Sequence, residues 1–156
     1  MSDPCFTTAN PAMLCADLAP GQVVAELLAY QDAHEGYWYL GGPYTHKSPA
    51  IMELCAIRLT KVAAGLTSQG VCIVSPITEG HQICVTAEIL GLKIGRDAAS
   101  WERRNRALLQ CSLGLLVWDG PGWRLSVGLR EETRLIREIG KPVVHVSYSI
   151  AMGKAA

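Results

Sequence analysis

The stretch LGLLVWDGPGWRLSVGLREETRLIREIGKPVVHVS, residues Leu113–Ser147, reads as strand, loop, helix and strand in succession. LGLLVWD is a short continuous apolar run, the pattern of a strand buried on both faces. The Pro-Gly pair at 121–122 ends it in a turn. SVGLREETRLIREIG has helical spacing, with Ser126 at its N-cap, and a Gly-Lys-Pro break then opens a second apolar run, KPVVHVS. A strand, a crossover helix and another strand of these lengths form a parallel unit.

Working outward, the same alternation recurs. YWYLGG reads as a first strand and VCIVSP as another buried strand ended by Pro76. Between them SPAIMELCAIRLTKVAAGLTSQG reads as a long helix, with Ser48 at the N-cap, Pro49 at the first helical position and Gly70 at the close. DAASWERRNRALLQCS is a further helix, and ITEGHQICVTAEILGLKIG is ambiguous. The expected fold is α/β, a flavodoxin-like three-layer sandwich with a mostly parallel sheet, whose ligands bind outside the carboxyl ends of the strands. Residues 1–36 are expected to form a lead-in broken by Pro4, Pro11 and Pro20 followed by a short helix, which carries Val24, Leu28 and Tyr30 and stops at Gly36; residues 37–156 are expected to form the α/β domain.

With 156 residues, about half of them apolar, the chain suits one domain with an ample core. A net charge of zero argues against nucleic-acid and membrane-surface partners. The charges are uneven, however: up to Leu92 there are three Lys/Arg against eight Asp/Glu, and from Lys93 onward eleven against six. The C-terminal part is therefore the expected home of an anionic ligand. No run approaches membrane-spanning length, and the N-terminus lacks the pattern of a secretory signal. Cys5, Cys15, Cys55, Cys72, Cys84 and Cys111 form no CxxC pair, so buried free thiols in a reducing cytoplasm are expected. A metal site from His46, His81 and a cysteine has no regular ligand spacing behind it, and no cofactor motif of the GxGxxG or GxxxxGK[ST] type occurs.

Three loops are expected to converge at one sheet edge: GGPYTH with Gly42, Pro43, Tyr44 and His46; SPITEGH with Ser75 and His81; and DGPGWRLS with Trp123 and Ser126. Each also has a purely structural reading, as turn chemistry, exposed histidines or a helix cap. The helix after Trp123 presents free N–H groups and its positive dipole end, and Gly128 leaves room for a ligand beside the backbone, which together make an anion site. Glu132 lies four residues beyond Gly128 and so faces the same side, whereas Glu131 is turned away by about 100°. Glu132 is therefore the carboxylate expected at the site, with Glu131 paired to a neighbouring arginine.

YLGGPYTHKSP, IVSPITEGHQI, WERRNRALLQCSLGLLVWDGPGW and SVGLREETRLIREIGKPV resemble the nucleoside 2-deoxyribosyltransferase superfamily, most closely a bacterial branch with a P-G-W-x-x-S-x-G-x-x-x-E signature. The resemblance covers Tyr37 to Val146. It implies chemistry at an N-glycosidic bond, with Glu132 attacking the anomeric carbon of a nucleoside or nucleotide while the base leaves. Serine at 126, where transferases of the superfamily have aspartate, implies a 5′-monophosphate substrate, and Tyr44 would line the base or sugar pocket. Members are usually homo-oligomers, and the segment at Tyr37 and Trp38 with the N-terminal helix is the expected shared surface. Asn105 stands where the superfamily carries an aspartate that assists the departing base, and an amide cannot be a general acid. Either Asp119, His46 or His81 takes over, or the protein is a non-catalytic nucleotide binder or sensor.

Overall fold

A computed structural model of the chain describes residues 18–154; Cys5, Cys15 and the lead-in with Pro4 and Pro11 lie outside the described residues, and Pro20 opens the first helix. The sheet has four parallel strands, β1 (Trp38–Gly41), β2 (Ile73–Val74), β3 (Leu115–Trp118) and β4 (Val143–Val146), in the order β2-β1-β3-β4. The helices are α1 (Pro20–His34), α2 (Pro49–Ser68), α3 (Pro76–Ile89), α4 (Ala98–Cys111), α5 (Val127–Glu138) and the short α6 (Tyr148–Ala151), with a 3₁₀ turn at Trp123–Leu125. This is the flavodoxin-like three-layer sandwich. Its strand order reverses between β1 and β3, which opens a crevice at their carboxyl ends.

Strand alternation assigns the two faces. Trp38, Leu40, Leu116, Trp118, Val144 and Val146 point to one core with α1, α2 and α6. Tyr39, Leu115, Val117 and Val143 point to the other, where Leu109 of α4 and Leu129 and Ile136 of α5 close the layer. The ends of these elements have identifiable causes. Asp97 caps α4 by accepting from Ser100 N at 3.0 Å, Ser126 caps α5 by accepting from Leu129 N at 3.3 Å, and Lys141 Nζ donates to the carbonyls of Gln110 and Ser112 at the end of α4.

Several expectations need correction. VCIVSP is not a strand buried on both faces: β2 is two residues long, half-buried, and forms an edge of the sheet. The ambiguous segment 77–95 is helix α3 as far as Ile89 and turn or coil beyond it. In α1 the buried positions are Val23, Val24 and Leu27, all in the main core, while Leu28 and Tyr30 pack at its margin. The helix ends at His34, and Glu35, not Gly36, takes the left-handed turn at φ 46°. Trp38 is fully buried under Tyr30 and cannot supply a shared subunit surface. Of the described cysteines, Cys84 is buried and Cys55 half-buried, but Cys72 and Cys111 are exposed.

Candidate functional site

The reversal point of the sheet holds a carboxylate. Tyr39, fully buried on β1, donates its hydroxyl to Glu132 Oε1 of α5 at 2.6 Å. The other oxygen, Oε2, lies beside the Gly41 α-carbon, so close that a Cβ there would sit 2.9 Å from it. Glycine at the end of β1 is thus what admits the carboxylate under the strand. Burial pushes the Glu132 carboxyl up to about 7, although its hydrogen bond from Tyr39 works in the opposite direction. Burial first, and then the adjacent carboxylate, hold the Tyr39 phenol far above its ordinary range, so that it remains a donor at every physiological pH. Glu131, one residue away, is exposed and engaged by Arg134, whose Nη2 and Nε donate at 2.6 and 3.0 Å; the hydrogen bonds from Arg134 hold its carboxyl below the usual range. The two adjacent glutamates therefore differ as helical phase predicts.

Around this pair stand residues of α3 and α4. Arg104 is close enough to Tyr39 for its charge to oppose the rise in the phenol's pKa, and it pairs with Glu79 in the first turn of α3. It also lies over the Trp101 ring, 5.8 Å from the centroid, and that ring in turn packs against Gly80. Ser75 Oγ, Arg104 Nη1 and Asn105 Oδ1 are buried and have no partner among the described residues. Buried polar atoms are nearly always hydrogen-bonded, so each of these three marks a place for a polar ligand atom or water.

The remaining expected residues fall into three groups. Tyr44 and His81 are brought together, with the Tyr44 hydroxyl oxygen and His81 Nδ1 hydrogen-bonded at 3.0 Å and the rings edge to face, on the α3 side of the crevice. Burial is the main cause that raises the Tyr44 phenol. Ser126 is a genuine N-cap; its oxygen accepts from Leu129 N, which leaves its own O–H and the first backbone N–H groups of α5 for an anion, and a Cβ on Gly128 would meet nothing within 4 Å. His46, Gly42 and Pro43 do less at the crevice than expected. His46 is exposed and its Nδ1 accepts from Ser48 N, while Gly42 and Pro43 are buried, Gly42 against Leu59 and Trp118. Trp123 turns to His145, at 4.9 Å between ring centroids, rather than toward Glu132. Asp119 is exposed, and its charge acts on His145. No group of three His, Cys, Asp or Glu side chains suited to a metal occurs among the described residues, and no described helix is long and apolar enough to cross a membrane.

The sequence singled out neither Tyr39 nor Arg104, and Gly41 read as turn chemistry. A tyrosine and a glycine inside an apolar strand carry no signal of their own; the available clue was position, since both lie on the face of β1 that the fold turns toward the helix after β3.

No curated protein matches the chain. Residues 36–148, well over half of it, match the family described as a domain of unknown function (DUF1937). That match runs from just before β1 to the start of α6 and includes the whole sheet, Tyr39, Asn105, Ser126 and Glu132. The chain belongs to the DUF1937 family.

Proposed function

We propose that this protein acts on the N-glycosidic bond of a nucleoside or nucleotide, with the Glu132 carboxylate as nucleophile and a 5′-monophosphate as the favoured substrate. The observation that carries the reading is the Tyr39–Glu132 hydrogen bond at the β1/β3 reversal point. Tyr39 fixes Oε1 and leaves Oε2 as the attacking atom. Attack on the anomeric carbon breaks the bond to the base nitrogen, which leaves with the bonding pair and takes a proton from water; the resulting glycosyl ester is opened by water or the N–H of a second base, which returns its proton to solvent and regenerates the carboxylate. A carboxyl near 7 is ionised in about half the molecules at neutral pH. The Ser126 hydroxyl and the α5 N-terminus supply donors for a phosphate. Incubation with ribo- and deoxynucleoside monophosphates, with free base as the readout, tests the reading: release that is lost in Glu132→Gln supports it, and no release from any substrate removes it.

The second reading is a nucleotide-binding protein without chemistry, and Asn105 favours it. Its Oδ1 is buried without a partner among the described residues, an arrangement that serves hydrogen bonding rather than proton donation. Asn105→Asp separates the two. A gain of about a hundredfold in base release marks a missing general acid, whereas weaker binding with no gain marks an amide used for recognition.

Assembly and location complete the proposal. Four free cysteines among the described residues suit a reducing cytoplasm. We place the subunit contact on α2, which buries Ala56, Leu59, Val62 and Leu66 in the core yet also exposes Ile51, Leu54 and Ile57. Its exposed stripe is self-complementary about Ile57. In an antiparallel pairing of two α2 helices, Glu53 meets the second copy's Lys61 and Ala50 meets the second copy's Ala64, each contact occurring twice.

A further inference from the structure

On the flank of α5 away from Glu132 lies a groove of about 750 Å³ against the edge strand β4. Trp123, His145 and Glu138 line it together with four arginines, at 124, 130, 134 and 137. It is separate from the Tyr39–Glu132 crevice. Arg130 and Glu132 are about 200° apart around the helix, and none of Tyr39, Asn105, Ser126 or Glu132 lines the groove.

The four arginines are not equivalent. Arg134 is held by Glu131 and Glu138, so its charge is offset within the helix. Arg124, Arg130 and Arg137 form no ion pair among the described residues. Arg124 lies 5.1 Å from the Trp123 ring centroid, which fixes one guanidinium above an aromatic wall. Four arginines against one lining carboxylate, Glu138, leave the groove net positive. Burial is the main cause that holds the His145 imidazole below its ordinary value; Asp119 opposes it, and Arg137 and Arg124 add smaller effects in the same direction as burial.

We infer that this groove is a binding site for a small ligand carrying a chain of phosphate groups, an inference that goes beyond the glycosidic reading and does not depend on it. Spacing argues for a chain rather than a single phosphate. Arg130 and Arg137 are seven residues apart, or about 10 Å along the helix axis, too far for one phosphate to engage both squarely. Guanidinium is the cation suited to this work, because its fork of donors matches phosphate oxygens two at a time. The groove's volume falls within the usual range of small-molecule sites, and the chain's zero net charge disfavours a nucleic-acid track.

Two sources share this chemistry, inorganic oligophosphate and a nucleoside triphosphate, and calorimetric titration of the full chain tests the site with both. Tripolyphosphate is expected to bind wild type and Glu132→Gln equally, and to bind the Arg130→Ala/Arg137→Ala double variant at least tenfold more weakly. Arg124→Ala, which leaves α5 untouched, is expected to weaken binding severalfold and guards against a folding artefact in the double variant. Equal affinity for tripolyphosphate and adenosine triphosphate assigns the site to the phosphate chain, and tighter binding of the nucleotide assigns it to a nucleoside triphosphate that also uses Trp123. The inference is overturned if tripolyphosphate gives no heat at millimolar concentration, if orthophosphate binds as tightly, if both arginine variants bind like wild type, or if Glu132→Gln weakens binding as much as the double variant does.

Discussion

Tyr39 and Glu132, 93 residues apart in sequence, are joined by a 2.6 Å hydrogen bond that ties the first strand to the helix after the third. The bond lowers the carboxyl's pKa against the larger upward effect of burial, which leaves it at about 7. Removing the donor in Tyr39→Phe should therefore move the carboxyl higher. If Glu132 must be ionised to react, the midpoint of the rate–pH profile should start near 7 and rise in the variant. A midpoint that stays in place would mean that Tyr39 does not govern the carboxylate. Stability gives a second readout with a defined sign. The folded state keeps the Glu132 proton between the ordinary value of 4.5 and about 7, where the unfolded chain has lost it. Stability thus falls as pH rises through that window, by at most on the order of 3 kcal/mol. Glu132→Gln removes this loss, so thermal denaturation should find it more stable than wild type at about pH 8 and not at about pH 4.

Gly41→Ala tests the seat of the carboxylate. The added Cβ would lie 2.9 Å from Glu132 Oε2 and 3.0 Å from Leu129 Cδ1, so the carboxylate must move. Misplacing a reacting group by about 1 Å can cost a hundredfold. Base release should fall at least tenfold while circular dichroism shows the fold retained; undiminished release would place the reacting atom elsewhere.

Ser126→Ala removes the oxygen that accepts from Leu129 N and the hydroxyl proton offered at the α5 N-terminus. Loss of the cap should cost about 1 kcal/mol in chemical denaturation. Affinity for a nucleoside monophosphate should drop more than affinity for the matching nucleoside, because only the former places an anion there. Equal losses by calorimetry would put the phosphate at another position.

The α2 contact is open to charge reversal. Light scattering should return a dimer for wild type and a shift toward monomer for Lys61→Glu, which sets two like charges opposite each other, with recovery in Glu53→Lys/Lys61→Glu. A wild-type monomer across working concentrations would contradict the arrangement.

Much of the fold was legible because each layer leaves its own period in the sequence. The apolar runs at 38–41 and 115–118 are strands with both faces covered, the run at 143–146 is a strand buried except at His145, and Ser126 announced α5 through its capping chemistry. The run at 71–74 misled because an apolar segment does not say whether it is central or at an edge; the strand order decides that. At the site, helical phase separated Glu132 from Glu131, a local property. Tyr39 could not be read in this way, since its partner is remote in sequence and a buried tyrosine in a strand is ordinarily core. The same holds for the arginine groove. Arg130 and Arg137 look like a solvated helix face until β4 and Trp123 are placed beside them.

The central claim is that Glu132 forms a bond to the sugar. Its most direct test is acid quenching of the protein during reaction with a nucleoside monophosphate, followed by peptide mass spectrometry. The account predicts a mass increase equal to the sugar phosphate on the peptide containing Glu132, absent from Glu132→Gln and retained in Glu131→Gln. Base release that continues in Glu132→Gln, with no adduct on wild type, would contradict it.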